Sequence, residues 1–214
     1  MPRVTFEIVT YVLTPRRGVK PSLNESHVLK ALLTLYHKGP MGRQFLSRVL
    51  SVGEASARTL IRRLKELELV EVTQAGGAYL TRKGMDVVEK FLEAVIPPKQ
   101  IDTSCFNYLK LSKEACFAIL KGKCRDKVNV LKIRDSLIRY GANAALVMCV
   151  RRNKIILLSP GNKGVDENTI EELRLFKEKI HVTLNDNDLI LVSFANSFSE
   201  CESSLYRFLT YSDC

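Results

Sequence analysis

Apolar residues in this chain follow a helical spacing up to about residue 96 and gather into short unbroken runs beyond it. Residues 4–13, rich in β-branched side chains, read as a β-prone or amphipathic arm that could add to a sheet or to a dimer contact. Ser22 and Glu25 have the spacing of a capping box and open a helix over about 23–37, striped by Val28, Ala31, Leu32 and Leu35 and ended by Gly39-Pro40. A short helix follows from about Met41. Ser51 and Glu54 repeat the capping spacing before a second helix, whose inward stripe is Ala57, Leu60, Ile61, Leu64 and Leu67. Two β-prone runs, 70–73 and 78–80, flank Gln74-Ala75-Gly76-Gly77, where glycine supplies the positive φ of a tight turn. Thr81 can cap a further helix over about 82–95, with Met85, Val88, Phe91, Leu92 and Val95 inward, and Pro97-Pro98 closes it. The succession predicts a winged helix-turn-helix.

The polar face of the second helix is the candidate chemistry. It carries Ala55, Thr59, Arg62 and Glu66, flanked by Ser56, Arg58 and Arg63. Small residues near its N-terminus allow close approach to a major groove. The hydroxyls can donate to phosphates or base edges, and arginine can fork onto guanine or clamp phosphate. The expected contact set is Arg43, Ser56, Arg58, Thr59, Arg62 and Arg63, with Arg82 and Lys83 just past an uncharged wing tip as phosphate contacts. An ordinary solvated helix face would also carry Arg and Glu, so the expectation rests on the whole module. Arg16, Arg17 and Lys20 form a basic loop that could track a phosphate backbone.

The later part reads as strand 115–120, helix 127–140, strands 144–150 and 155–158, a helix from 168 or 169 to about 179, strand 189–194 and helix 199–209. The order β-α-β-β-α-β predicts a ferredoxin-like α/β sandwich, making the whole chain α+β. The expected division is an arm (1–21), a winged helix-turn-helix domain (22–96), a linker (97–112) and a C-terminal domain (113–214) for sensing or oligomerisation. Within 127–140, Val130, Leu131, Leu137 and Ile138 form a stripe from whose middle Arg134 projects beside Asp135. A charge there is costly unless paired or exposed. Arg134 is therefore either a ligand for an anionic effector, oriented by Asp135, or a snorkelling or internally paired side chain. Ser159, Gly161 and Asn196 follow strand ends and are candidate pocket rims, or ordinary turns.

Composition sharpens the partner. The net charge of +10 favours a polyanion, and residues 1–96 hold 15 Lys and Arg against 9 Asp and Glu, a denser excess than the 18 against 14 that follow. Glu7 interrupts the only apolar run near the N-terminus, and no run approaches a membrane span, so a cytoplasmic protein is expected. The six cysteines include no Cys-x-x-Cys and lack histidine partners, so neither metal nor cofactor is expected. Cys116 and Cys149 read as core thiols. Reduced cysteines are the default in a cytosolic chain, with disulfides open to a thermophilic one.

Ile133-Arg134-Asp135, Gly141-Ala142, the strand 144–150 and Leu158-Ser159-Pro160-Gly161 together resemble an archaeal family of proposed transcriptional regulators. That family joins an N-terminal winged helix to a C-terminal domain of unknown function, and the resemblance covers most of residues 22–210. It implies cytosolic binding of double-stranded DNA and a sensory or oligomerising C-terminal domain. The residues themselves exclude familiar catalysis: there is no glycine-rich phosphate loop, no Ser-His-Asp set and no histidine–carboxylate cluster. The expected function is a sequence-specific regulator, acting as a homodimer, with a small-molecule effector or an oligomerising domain. The alternatives are a winged helix that docks another protein and an architectural DNA-binding protein without effector.

Overall fold

A computed structural model describes residues 3–15, 22–124, 128–160 and 164–211. The basic loop at Arg16, Arg17 and Lys20, and the candidate Gly161, lie outside the described residues. The chain divides into two compact units between Leu92 and Glu93.

The first unit begins with a helix, the amphipathic rather than the β-prone form of the expected arm. Helix α1 (Arg3–Leu13) buries Ile8, Val9 and Val12 on one face and leaves Phe6 and Tyr11 exposed. Its β-branched residues lower helix propensity, but burial of a helical stripe outweighs a few tenths of a kcal/mol per residue. The cap of helix α2 (Glu25–Lys38) lies two residues after the expected one. Asn24, not Ser22, is its N-cap, accepting from the His27 amide while His27 Nδ1 accepts from the Asn24 amide. The Asn side chain reaches the amide at the third helical position, and His27 takes the role usually filled by Glu or Gln.

Strand β1 (Met41–Gly42), helices α3 (Arg43–Leu50) and α4 (Glu54–Glu66) and strands β2 (Val70–Val72) and β3 (Gly77–Leu80) complete the expected helix-turn-helix and wing. The three strands pair antiparallel in the order β1-β3-β2. The cap of α4 differs from expectation. Ser51 ends α3 in a left-handed conformation at φ +54°, and Gly53 starts α4 without a side-chain cap. Helix α5 (Arg82–Ala94) follows, with the Thr81 hydroxyl accepting from the Gly84 amide. Gly84 is required by packing: a Cβ there would lie 2.1 Å from the carbonyl oxygen of Leu69.

The second unit is a six-stranded sheet in the order β4-β5-β9-β6-β7-β8, every neighbouring pair antiparallel. Strands β5 (Glu114–Leu120), β6 (Ala144–Arg151), β7 (Lys154–Leu158) and β9 (Leu189–Ala195), with helices α6 (Val130–Arg139), α7 (Glu171–Lys179) and α8 (Phe198–Tyr211), follow the order expected from the sequence. The sheet order departs from a ferredoxin-like sandwich. There the third strand would lie between the first two; here the last strand, β9, separates β5 from β6. Two strands went unanticipated. Strand β4 (Val95–Ile101) occupies the start of the expected linker, and β8 (Gly164–Asp166) forms one edge. Pro97 and Pro98 do not begin a linker. They sit in edge strand β4, where the register with β5 shifts between Ile96 and Lys99, a place that tolerates a missing N–H.

The sheet is buried on both faces. Phe117, Met148, Ile190 and Phe194 pack with Leu173 and Phe176 of α7 and with Cys105 and Phe106 beside a 3-10 turn at Thr103–Cys105. On the other face Ser193 meets Ser204 of α8 at 2.7 Å, and Cys116, Cys149 and Leu191 are wholly buried. Cys149 is not a free core thiol: it forms a disulfide with Cys124. Oxidation therefore overrides the cytosolic default.

Candidate nucleic-acid interface

Helix α4 is an amphipathic rod held from behind. Ala57, Leu60 and Leu64 are wholly buried, which turns Ala55, Arg58, Arg62 and Glu66 to solvent, with Ser56 and Thr59 half-buried at the margin. Thr59 Oγ1 donates to the Ala55 carbonyl at 2.9 Å, and Ser56 Oγ lies 3.2 Å from Ser22 Oγ. The segment before α2 thus rests on the N-terminal half of α4. Both hydroxyls retain an acceptor lone pair, and Ser56 can turn its hydrogen outward.

Most of the expected cations are already engaged. Arg43 pairs with Glu54 at 3.6 Å, joining the starts of α3 and α4. Arg62 pairs with Glu66 at 2.8 Å, and Tyr11 of α1 donates to the same carboxylate at 3.2 Å. Arg82 pairs with Asp86 at 3.1 Å and Lys83 with Glu68 at 3.0 Å. All of these arginines and lysines are exposed, and solvated pairs of this kind contribute about 0–1 kcal/mol, so a phosphate can displace the carboxylate. Arg58 is exposed and has no charged or hydrogen-bonded partner among the described residues.

Arg63 leaves the expected set. Its side chain is buried, and its guanidinium donates to the Val12 and Thr14 carbonyls at the C-terminus of α1. Those carbonyls lack intrahelical donors and sit at the negative end of the helix dipole, so a cation serves them well. The structure also separates the expected contacts. Arg43, Ser56, Arg58 and Thr59 cluster around the N-terminal half of α4. Lys83 is tied to Glu68 beyond the helix's other end, roughly 18 Å along the axis at 1.5 Å per residue.

The wing is short, and its turn is closed by the Gly77 carbonyl and amide bonding to Thr73. It carries acid rather than base. Tyr79 donates to Glu71 at 2.6 Å across the strands, and that bond, with slight desolvation, holds the phenol above its ordinary pKa. The sequence concealed this pair because its members are eight residues apart and meet only through the hairpin register.

Of the tentative ligand residues of the second unit, Arg134, Asp135, Ser159 and Asn196 fall within the described residues. The buried stripe of α6 is Val130, Ile133 and Leu137, whereas Leu131 and Ile138, expected inward, are exposed. Arg134 therefore lies half-buried at the margin of that stripe, not in its middle, and Asp135 faces solvent. Ser159 is exposed after β7. Asn196, after β9, accepts from Asn143 at 3.1 Å and from Ser112 at 3.5 Å. Two open grooves lie elsewhere. One, of ≈ 490 Å³, runs between the 3-10 turn and the start of α7, lined by Ser104, Tyr108, Leu109, Ile170 and Glu172; the other, of ≈ 450 Å³, is lined by Gln100, Asp102, Lys113 and Glu114. Glu172 is a buried carboxylate that sequence reasoning missed. It accepts from the consecutive amides of Asn107, Tyr108 and Leu109 and fixes the loop that forms the first groove. Between the grooves Asp102 is held down to about 2 by hydrogen bonds from the Ser104 hydroxyl and amide and from Lys179.

This architecture, a winged helix followed by a six-stranded sheet unit, has known counterparts. Residues 28–86 match the PH0730-like, N-terminal domain, and residues 111–209 match the Domain of unknown function (DUF4443). Among solved structures, the chain is similar to hypothetical protein PH0730 from Pyrococcus horikoshii OT3, with 23% identity over 86% of this chain and 90% of that one and a TM-score of 0.60. The two share a fold. Transcriptional regulator Tm0710 from Thermotoga maritima is 23% identical over 42% of this chain and 66% of its own, with a TM-score of 0.31. RV1404 from Mycobacterium tuberculosis is 21% identical over 42% and 60%, with a TM-score of 0.30. No curated protein matches the chain. No helix among the described residues is long and apolar enough to cross a membrane.

Proposed function

We propose that this chain is a sequence-specific DNA-binding transcriptional regulator, non-catalytic, cytoplasmic and archaeal, that acts as a homodimer on a two-fold site. The observation that carries the reading is the outward face of α4. It presents Arg58, unpartnered among the described residues, beside Ser56 and Thr59, on a helix whose opposite side is locked into the core. A helix so presented enters a major groove with its N-terminal residues against base edges. The exchangeable pairs at Arg43 and Arg62 supply phosphate contacts around it. Arg82 and Lys83 would extend those contacts along the duplex. The C-terminal domain then serves as sensor or dimerising element. Arg134 and Asp135 are its candidates for an anionic effector, with Ser159, Gly161 and Asn196 as further contacts.

The protein-docking alternative, whose surface would use Leu67, Leu69 and Val70, loses support because Leu69 and Val70 are buried and Leu67 is half-buried. Selection of bound fragments from genomic DNA at two salt concentrations tests the proposal. A palindromic motif that survives the higher salt is the expected result. Uniform binding that vanishes with salt would leave backbone contact only and favour an architectural protein. No DNA binding at either salt would overturn the reading.

A further inference from the structure

Two buried thiols take no part in the proposed DNA contact. Cys116 lies on β5, facing the layer that contains α8, and Cys201 lies in the first turn of α8. Neither exposes any surface. The Cys201 thiol donates to the Glu114 carbonyl at 3.2 Å, two residues before Cys116 on the same strand. The Cys116 thiol lies 3.9 Å from the Phe198 carbonyl, three residues before Cys201. Each sulfur therefore rests on the backbone that carries the other, and the two thiols hydrogen-bond to one another. The pair is asymmetric. The hydrogen bond from Cys116, helped by the Ala195 backbone, holds the Cys201 thiol below its ordinary pKa, whereas that bond and burial push Cys116 far above it. Position at a helix N-terminus favours the thiolate of Cys201 further.

We propose that Cys116 and Cys201 form an oxidisable dithiol that closes to a disulfide on reaction with a hydroperoxide, pinning α8 to β5. The Cys201 thiolate attacks the peroxide oxygen, the O–O bond breaks, and hydroxide (or alkoxide) leaves, giving a sulfenic acid. The Cys116 sulfur then attacks the Cys201 sulfur. The S–O bond breaks, the Cys116 proton joins the departing hydroxyl, and water leaves. One peroxide is reduced by two electrons and two thiols are oxidised to one cystine. Burial limits the oxidant to a small one that enters when the first turn of α8 opens. The same face of the sheet already holds the Cys124–Cys149 disulfide. Cys105 is the internal control. It is buried on the opposite face against the Asp102 carbonyl, and burial pushes its thiol up to about 11.

The test is peptide mapping of the full chain, unreduced, after hydrogen peroxide treatment under native conditions. The expected result is a Cys116–Cys201 linked peptide lighter by two hydrogens and the loss of two titratable thiols, with Cys105 untouched. Cys116→Ser should abolish the link and leave Cys201 carrying added oxygen. Cys201→Ser should leave Cys105 and Cys116 unoxidised. Cys116 and Cys201 unchanged in the wild-type protein, oxygen added at Cys201 without a link, or a link to another cysteine would each overturn the proposal. The wild-type map decides the matter even where a variant fails to fold. The inference is independent of the DNA-binding reading.

Discussion

Two arginines five residues apart in α4 have opposite fates. Arg58 is solvent-exposed and unpartnered among the described residues, and Arg63 is buried under α1. Arg58→Ala should leave the unfolding midpoint unchanged and cost about 1–3 kcal/mol of affinity at a selected site if it reads a base. A uniform loss with a flatter salt slope would reassign it to phosphate. Arg63→Ala should do the reverse. It strips the donor from two carbonyls and costs about 1.5–3 kcal/mol of stability, the range for hydrogen bonds to a charged group, while affinity of the folded protein holds. Denaturant melts and titrations on the same two variants check both outcomes. At His27, burial chiefly, with the Lys30 charge, lowers the imidazole pKa against the weaker pull of Glu25. Neutral Nδ1 accepts from the Asn24 amide, and a protonated ring cannot. The folded value lies below the unfolded one of 6.5, so in the window between them the unfolded chain binds more protons. Stability is full above 6.5 and falls as the pH drops through that window toward the folded value. His27→Gln, whose amide oxygen can accept the same bond, should flatten the dependence in melts from neutral pH to about pH 5.

At the scale of elements, the start of α5 packs closely against the backbone of Leu69, just before β2. Gly84→Ala would gain about 1 kcal/mol of helix propensity in a free helix. Here the added methyl would lie 2.1 Å from the Leu69 oxygen and 3.1 Å from its carbonyl carbon, both backbone atoms that cannot swing aside. The clash should win, for a net loss of about 1–3 kcal/mol read from the urea midpoint of the first unit. The same elements show what a sequence makes legible. Strands β5, β6 and β9 are unbroken apolar runs buried on both faces, and their length and turn-rich flanks mark them as strands. Helix α4 declared itself through its stripe. Helix α1 did not, because Ile8, Val9 and Val12 are β-formers whose helical face matters only once α2 and α4 are there to cover it. Strand β4 hid behind Pro97-Pro98, and β8 is too short to show a period. Sheet order was out of reach: placing β9 between β5 and β6 depends on long-range pairing that no local pattern encodes. At the site, exposure was predictable from the stripe. The inward turn of Arg63 was not, since its partners lie about fifty residues away on a helix read as an arm.

Across the whole molecule, the two units are stabilised by different means. The first has no disulfide among its described residues and relies on helix packing. The second closes a 25-residue separation with Cys124–Cys149. Both edges of the second unit's sheet are blunted, one by the Pro97-Pro98 bulge in β4 and the other by the three residues of β8. Partners are thus discouraged from adding strands at these edges. Removing the disulfide by Cys124→Ser with Cys149→Ser should lower the stability of the second unit by roughly 2–4 kcal/mol, the range for a loop of this size. The transition assigned to the first unit should stay in place, so the variant's melt should separate into two steps. DNA affinity below the first step measures how far the units are coupled. A purely tethered winged helix would bind unchanged. If the second unit dimerises the protein or biases α4, loosening it should weaken binding to a palindrome far more than to a single half-site, since only the palindrome needs both copies. The regulator reading expects that divergence, and equal affinities for both DNAs in both proteins would reduce the second unit to a passive appendage.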